Sequence, residues 1–373
     1  MSDFQTSLIA DLGQFAACRD EWNELARDRV FHRWEWMFSW WEQFQSQGEL
    51  AIVVVKDGGG RWVGIAPWFK SRSTGRGRVV HTIGCGAACS DYVSLAIRPG
   101  FERPVTDAVG HLVFGQHASE PFADVDLFEL EGHLACDRGM QMLQSAAAEN
   151  MSTVVMHEIG GAWRSELPVS WDEYESALHK SFRRKTRKAE RRLGAAEFAG
   201  EVALSPEELD ATWSIFANLH QQRRRSLGQA GCFADPKFEQ FLKNATLRLG
   251  ESGRAQINLV RYQGNPITAN LEFISGDSVY MYQTGMDPEH LTVEPGHITF
   301  TWAIQASIER GFRWFDFLRG DELYKSRWKA VRTPLFRTRI VPNRLTPRIR
   351  STIWHAGRQV RDWTQGLTNL ISS

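Results

Sequence analysis

The chain has 373 residues, which is enough for two domains of ordinary size. Lys and Arg together number 44, as do Asp and Glu, so the formal net charge is zero and global charge favours neither nucleic acid nor an anionic membrane as a partner. The 42% hydrophobic and 24% charged content is ordinary for a globular protein, and no run approaches the roughly 18 apolar residues that a membrane span needs.

The first half of the chain shows a regular order of helical and strand patterns. Apolar residues recur at helical spacing over 15–27 and again over 36–44, and an Asp-Gly-Gly-Gly run at 57–60 predicts a β-hairpin. The remaining patterns predict strands at 50–56, 62–69, 79–83, 92–97, 124–130 and 153–159, and helices at 103–116 and 133–150. This order predicts an α+β domain with a central mixed sheet over residues 1–170.

The five Cys residues form no C-x-x-C pair. Cys85 and Cys89 lie four positions apart in a Gly/Ala-rich segment, without a neighbouring His. This pattern predicts neither zinc nor any other metal site. Reduced thiols, together with an N-terminal stretch that carries acids and no long apolar core, predict a cytoplasmic protein without a signal peptide.

A strongly basic helix is predicted at 174–193. Seven Lys and Arg side chains fall within 183–192, and Gly194 ends the run. Because these side chains lie on all sides of the helix, two interpretations stay open: a solvated connecting helix, or a surface for an anionic substrate, a nucleotide or RNA. The patterns that follow predict helices at 206–219 and 236–250 and a hairpin of strands at 255–262 and 266–274.

Residues 278–328 show the order strand, loop, helix, strand. The segment 278–284 is aromatic and β-branched, a Glu-Pro-Gly run at 294–296 predicts a turn, and apolar residues then recur at helical spacing as far as Gly311. A second strand at 314–318 completes a βαβ unit with parallel strands. The first amides of its helix have no intrahelical partner and carry the positive end of the dipole, which suits a phosphate or pyrophosphate; a plain turn is the alternative.

The second half therefore repeats the order of the first, which predicts two tandem α+β domains at 1–170 and 171–335. A basic tail follows at 336–373, in which Asp362 is the single acid among many Arg residues. Apolar residues recur at helical spacing from Ile349 onward, which predicts a basic amphipathic helix. Two expectations for this helix stay open: docking on its own protein or a second copy, and peripheral binding to an anionic membrane surface.

The residues around this βαβ unit resemble a known family. The runs Y-x-Y-x-x-G-x-D-P from Tyr280, E-P-G-H from Glu294 and G-F-x-x-F-D-F-L-x-G-D-E-x-Y-K-x-x-W from Gly311 are similar to those of the BioF2-like or CelD-like acetyltransferases. These belong to the GNAT superfamily and are close to the FemAB group. Further segments share the resemblance: 31–41, 64–67, Ser90-Asp91-Tyr92, and Leu219-His220 with Arg223.

This resemblance implies two tandem GNAT-like domains and transfer of an acyl group from acetyl-CoA or another acyl-CoA to an amine. The acceptor that it implies is an amino sugar or a peptide in exopolysaccharide or cell-envelope synthesis. The residues that it places against the cofactor are Met281, Tyr282 and Gln283 at the thioester and Gly296, His297 and Ile298 at the pyrophosphate. Two alternatives stay open: an aminoacyl-tRNA-dependent transferase like the FemAB group, and a noncatalytic scaffold of a polysaccharide synthase.

Acyl transfer to an amine requires a base for the amine and an acid for the leaving thiolate. The resemblance implies Tyr324 as the acid, because many GNAT enzymes carry their tyrosine acid just past the corresponding strand. The candidate bases are Asp316, which lies in an otherwise apolar strand, Glu294, and His220, which can titrate near neutrality.

Two basic side chains complete the predicted site. Arg223 and Lys325 are candidates for binding an anionic part of the substrate. Each candidate also has a structural interpretation: Tyr324 as a core or rim residue, Asp316 as the partner of Arg223 or Lys325 in an ion pair, and His220 as a buried structural histidine.

Overall fold

The computed structural model describes residues 4–114, 118 and 120–354. The helices are α1 Leu12–Ala17, α2 Arg19–Ala26, α3 Trp34–Phe44, α4 Glu102–Phe114, α5 Arg138–Glu149, α6 Trp171–Ala177, α7 Lys180–Leu193, α8 Pro206–Ser226, α9 Pro236–Gly250, α10 Pro295–Glu309 and α11 Tyr324–Arg327. The strands are β1 Gln5–Ile9, β2 Glu49–Leu50, β3 Ile52–Lys56, β4 Trp62–Ala66, β5 Trp68–Ser73, β6 Gly77–Thr82, β7 Ala96–Ile97, β8 Leu127–Leu134, β9 Thr153–Glu166, β10 Phe198–Ala203, β11 Ala255–Tyr262, β12 Asn265–Ser275, β13 Ser278–Met286, β14 Trp314–Arg319 and β15 Val331–Val341. None of the described helices is long and apolar enough to cross a membrane.

One mixed sheet of 11 strands runs through both halves of the chain, in the order β10-β11-β12-β13-β14-β9-β15-β8-β6-β5-β2. The pairs β6–β8 and β13–β14 are parallel, and the other pairs of this sheet are antiparallel. A second sheet has the order β1-β3-β4-β7. The α+β class with central mixed sheets is thus confirmed, and each half contributes one parallel pair to the large sheet.

Several helices and strands have bounds that differ from those predicted by local sequence patterns, because the strands pair with strands that are distant in sequence. Strand β8 extends to Leu134, where it pairs with Leu335, so the following helix begins at Arg138 and not at 133. Residues 336–341, predicted as the start of the tail, form the end of β15, which lies between β8 and β9. A further helix covers 345–354, and the rest of the predicted C-terminal helix lies outside the described residues.

The basic segment forms two helices and not one. Helix α6 ends at Leu178, whose backbone is extended, and α7 begins at Lys180. Thr186 and Ala189 are the buried positions of α7, and they turn one side of this helix toward α10. The basic helix therefore packs against the helix of the βαβ unit, which fixes its position relative to the predicted phosphate site.

An aromatic cluster joins the two halves of the chain. Trp36 on α3 lies edge-on to Phe241 on α9 and to Phe273 on β12, with ring centroids 4.8 and 5.5 Å apart. Phe31 lies 6.3 Å from Phe273 and 6.2 Å from Tyr282 on β13. These rings are buried in one continuous core, so burial of aromatic surface holds the N-terminal helices against the second half of the sheet.

A buried polar group interrupts the apolar packing between β11, β12 and α10. Glu272 is fully buried and accepts a hydrogen bond from Gln256 Nε2 at 2.8 Å, while Arg310 Nη1 donates to Gln256 Oε1 at 2.7 Å. Glu272 Oε1 and both amide atoms of Asn270 have no partner among the described residues. Burial raises the pKa of Glu272 to about 7 from an ordinary 4.5, because a carboxylate loses its hydration there.

This shift makes stability depend on pH through Glu272. Its folded-state pKa lies above the unfolded value, so its contribution to stability is greatest below about pH 4.5 and falls as the pH rises toward 7. The Glu272→Gln variant, which stays neutral, should therefore gain on the order of 3 kcal/mol over the wild type between pH 4.5 and 8. Urea unfolding of both proteins at each pH measures this. A difference that does not change with pH would show that the carboxyl group titrates normally.

Candidate active site

An open cleft of about 580 Å³ lies at the ends of β13 and β14. The two strands pair only from Ser278–Tyr280 to Trp314–Asp316 and then separate, which creates the space. The cleft is lined by Met281, Tyr282, Gln283, Thr284 and Met286 of β13, Gly296, His297 and Phe300 of α10, Phe317 and Arg319 of β14, Phe182 and Lys185 of α7, Arg223, Arg224 and Leu227 at the end of α8, and Glu322, Tyr324, Lys325, Arg327 and Trp328 at α11. The predicted βαβ unit thus forms the walls of a cavity.

The first turn of α10 presents one free backbone amide to this cleft. The N–H groups of His297 and Ile298 both donate to the carbonyl oxygen of Glu294, at 3.0 and 3.2 Å. The N–H of Gly296 has no protein acceptor among the described residues, and Gly296 lines the cleft. Ile298 is fully buried, so its side chain supports the helix from the core. The helix start therefore offers the amide of Gly296 to an anion.

Glu294, which caps this helix in a left-handed backbone conformation, is bound by the basic helix α7. Its carboxylate lies 2.8 Å from Lys185 Nζ, 3.5 Å from Lys188 Nζ and 3.4 Å from Arg192 Nη1. The hydrogen bond from Lys185 is the largest of the effects that lower the pKa of Glu294. An ionised carboxylate held by three cations is a poor proton acceptor, and its charge is compensated beside the helix start.

His297 lies in the cleft as a neutral aromatic side chain. Its ring stacks on Trp328 at 5.0 Å and meets the edge of Phe182 at 4.9 Å, and its Nε2 lies 3.3 Å from Thr186 Oγ1. Burial, and secondarily the charge of Lys185, lower the pKa of His297 to about 4. This histidine therefore contributes a flat, uncharged wall beside the amide of Gly296.

Tyr324 lines the same cleft from α11. Its ring packs against Phe300 at 5.6 Å and Phe317 at 6.3 Å, and burial raises the pKa of its phenol well above the ordinary value of 10. Within the described part of the chain its hydroxyl makes no hydrogen bond to protein. Tyr324 is therefore held by packing, stays protonated at neutral pH and has a free donor.

Lys325, the next residue, is bound within the protein. Its Nζ donates to the carbonyl oxygens of Leu318, Arg319 and Gly320 at 3.2, 2.9 and 3.0 Å, and lies 3.0 Å from Glu322 Oε2. The side chain is 3% exposed. These bonds hold α11 at the end of β14, so little of the charge of Lys325 is available to a substrate. Arg223, by contrast, has no such bonds in the described structure and lines the cleft.

Asp316 is buried on β14 but does not line the cleft. Its Oδ2 accepts from the hydroxyl of Tyr92 at 2.7 Å, and its Oδ1 accepts from the N–H of Leu318 at 2.8 Å. Leu318 has a left-handed backbone, with φ of 56°, at a bulge in the pairing of β14 with β9. Burial raises the pKa of Asp316 to about 7. Its hydrogen-bonding partner is thus Tyr92 from the first half, not Arg223 or Lys325.

His220 and Tyr282 both point into packed regions. His220 is 1% exposed, its Nε2 lies 3.7 Å from Cys232 Sγ and 3.4 Å from Arg224 Nε, and burial lowers its pKa to about 4. The hydroxyl of Tyr282 donates to the carbonyl oxygen of Ala88 at 2.8 Å, and the ring belongs to the aromatic cluster. His220 does not line the cleft, and Tyr282 forms its rear wall.

The cleft contains charged residues that were not among the predicted site residues. Besides the predicted Arg223 and Lys325, the cationic residues that line the cleft are Lys185, Arg224, Arg319 and Arg327. Glu322 is the one carboxylate among the described lining residues. Arg319 is held by the buried Asp91, which accepts from both its backbone N–H and its Nε. Asp91 belongs to the Ser90-Asp91-Tyr92 run, so the resemblance at that run was the available signal. In the described ranges no cluster of His, Cys, Asp and Glu side chains is placed to hold a metal ion.

Comparisons with known proteins agree with this geometry. Residues 178–326, which contain most of the cleft, match a family model described as an acetyltransferase (GNAT) domain. No curated protein matches the chain by sequence. The crystal structure of FemX superposes with a TM-score of 0.55 at 12% identity, over 80% of this chain and 90% of that one.

Two lipid-synthetase structures give similar values. The C-terminal domain of a putative lysylphosphatidylglycerol synthetase from Agrobacterium fabrum has a TM-score of 0.53 at 9% identity, over 87% of this chain and 92% of that one. L-PGS from Bacillus licheniformis has a TM-score of 0.51 at 9% identity, over 91% and 96%. Such identities show the fold alone. The family model confirms the predicted resemblance to the GNAT superfamily over residues 178–326, and the superposition confirms a fold shared with FemX. The BioF2-like or CelD-like assignment stays a prediction.

Proposed function

Because residues 178–326 match a GNAT domain, we propose that this protein transfers an acyl group from an acyl-CoA to an amine in the cleft between β13 and β14. One observation supports this most strongly: residues 281–284 of β13, Gly296 at the start of α10 and Tyr324 line a single cavity. Acyl transfer from a phosphate-bearing thioester requires a strand for the acyl group, a donor for phosphate and an acid for the thiolate.

The charges of the cleft fit an anionic donor. Lys185 and Arg224 line it, and the acid at the start of α10, Glu294, is compensated by α7. We assign the pyrophosphate to the amide of Gly296 with Lys185 and Arg224, because a helix N-terminus and nearby cations both attract phosphate. The neutral ring of His297 adds a contact without charge.

The proton transfers are assigned to two of the titratable side chains that line the cleft, Glu322 and Tyr324. Glu322 lies at its open side, 58% exposed, and attracts the ammonium form of the acceptor and takes its proton. The free amine then attacks the thioester carbonyl and the C–N bond forms. As the C–S bond breaks, Tyr324 donates its proton to the leaving thiolate, and the resulting tyrosinate takes the remaining proton from the nitrogen to leave the neutral amide. Asp316, His220 and Glu294 receive no proton-transfer role, since none of the three lines the cleft.

The acceptor is an amine on a small molecule, a peptide or a glycan, and the resemblance favours an amino sugar or a peptide of the cell envelope. Acetyl-CoA incubated with a panel of such amines tests the activity through release of the free thiol of coenzyme A. The proposal predicts thiol release that depends on both amine and protein. Thiol release that is the same with and without every amine would contradict it.

A specific surface favours a second candidate function, transfer from an aminoacyl-tRNA. Arg183, Arg184 and Arg191 of α7 have no acidic partner among the described residues. They lie on the same helix as Lys185, which lines the cleft. Neutralising these three arginines should then weaken tRNA binding and flatten its dependence on salt. Equal binding of tRNA by the variant, with the same salt slope, would remove this candidate.

A further inference from the structure

A second, smaller cavity lies where the two halves of the chain meet. It has a volume of about 120 Å³ and is lined by residues that include Arg29, His32, Asp91, Tyr92, Arg164 and Tyr280. We call it the seam cavity. A cavity of this size has room for a few water molecules or for one small polar group.

Two guanidinium groups reach this cavity without a carboxylate partner. Arg29 donates to the carbonyl oxygens of Leu25, Ala26 and Leu95 at 3.2–3.4 Å and forms no ion pair among the described residues. Arg164 lies over the ring of Trp314 at 3.7 Å and likewise forms no ion pair within the described chain. Partly desolvated charges of one sign are unfavourable unless an opposite charge joins them.

A buried histidine adds a neutral donor. His32 is 2% exposed, and its Nε2 accepts from the backbone N–H of Ser94 at 3.1 Å. Burial lowers the pKa of His32 well below its ordinary value, so the ring is neutral and its proton lies on Nδ1. This Nδ1–H has no acceptor among the described residues. The cavity therefore presents an unpartnered donor on a side chain that is almost completely buried.

The acids at the seam cavity limit the charge of what it can hold. Asp91 is already bound by the backbone N–H and Nε of Arg319. Asp316 lies behind Tyr92, whose hydroxyl donates to it. Asp137 and Asp316 interact with the charges of Arg29 and Arg164, without an ion pair to either arginine among the described residues. The two guanidinium groups are thus only partly compensated, which favours a single negative charge over a doubly charged phosphate.

We propose that the seam cavity binds the carboxylate group of a small molecule, held by the guanidinium groups of Arg29 and Arg164 and by the Nδ1–H of His32. A planar carboxylate matches the forked donors of arginine. This site does not depend on acyl transfer in the larger cleft. If both proposals hold, the protein binds a carboxylate-bearing compound in addition to its acyl donor.

The test uses sodium acetate as the probe, exchanged for sodium chloride at constant ionic strength while thermal unfolding of the full chain is followed. A bound carboxylate raises the unfolding midpoint with saturation, and we expect half-saturation on the order of 1–10 mM. Arg164→Gln should weaken the acetate effect at least about tenfold. Arg313→Gln is the matched control, because Arg313 also lies over Trp314, at 5.2 Å, but does not line the cavity.

A phosphate titration and further variants separate binding in the seam cavity from binding in the larger cleft. Any shift that inorganic phosphate gives at the same ionic strength comes from the larger cleft and should be unchanged by Arg164→Gln, and Arg224→Gln in that cleft should leave the acetate effect unchanged. If Arg164→Gln does not fold, Arg164→Lys carries the same test, because lysine keeps the charge and loses the fork. The proposal is overturned by a wild type that does not respond to acetate, by equal acetate responses of the wild type and the Arg164 variant, or by a phosphate response that Arg164→Gln abolishes.

Discussion

Replacing Tyr324 by Phe is expected to lower kcat for acyl transfer about 10³-fold while leaving the thermal midpoint within a degree of the wild type. The magnitude is that of losing a positioned general acid. Folding should be unaffected, because the ring packs on Phe300 and Phe317 and its hydroxyl has no protein partner in the described structure. Steady-state kinetics with acetyl-CoA and a saturating amine measure kcat and KM separately.

The matched control is Tyr262→Phe. Tyr262 is a partly exposed tyrosine on β11 whose hydroxyl accepts from Gln263 at 3.3 Å, away from the cleft, so its variant should retain full activity. The raised pKa of Tyr324 also predicts that wild-type activity is not lost by deprotonation of this group up to at least about pH 10. A Tyr324→Phe enzyme with wild-type kcat across pH 7–10 would rule out the assigned acid.

Replacing Phe273 by Ala is expected to destabilise the whole chain by about 4 kcal/mol. Phe273 is fully buried where the aromatic cluster joins the halves, with Trp36 at 5.5 Å and Tyr282 at 5.4 Å. Because one core and one sheet include both halves, the variant should still unfold in a single transition. Urea unfolding followed by fluorescence and by circular dichroism measures both properties.

Phe312→Ala serves as the comparison, since Phe312 is partly exposed beside Arg310 and its loss should cost less than about 1.5 kcal/mol. Two separate transitions in the wild type, or a loss below 1 kcal/mol for Phe273→Ala, would show that the halves are joined in another way than through this cluster.

The βαβ unit could be predicted from the sequence because its signals are local. Alternating aromatic residues, a Pro-Gly turn and helical periodicity each occupy fewer than 20 neighbouring residues. The structure places β13, α10 and β14 within a few residues of the predicted bounds and pairs the strands in parallel. The cleft follows from this unit, so Gly296, His297 and Tyr324 were found from the residues around them.

The rest of the site depends on contacts that no local pattern contains. The hydroxyl of Tyr92 meets Asp316 across 224 positions, and Asp91 meets Arg319 across 228. Glu294 is compensated by Arg192 from 102 positions away. Whether a side chain can act as a base depends on such partners. This explains why the three candidate bases that were chosen by residue type, two acids and one histidine, lie outside the cleft or are bound to cations.

The most direct measurement is a calorimetric titration of the purified protein with acetyl-CoA, repeated on two double variants. Lys185→Gln with Arg224→Gln removes two cations that line the cleft, whereas Arg184→Gln with Arg225→Gln removes two from the same helices that do not line it. The account predicts saturable binding by the wild type, at least about tenfold weaker in the first double variant and unchanged in the second. No detectable binding by the wild type, or equal weakening in both variants, would contradict an acyl-CoA site in this cleft.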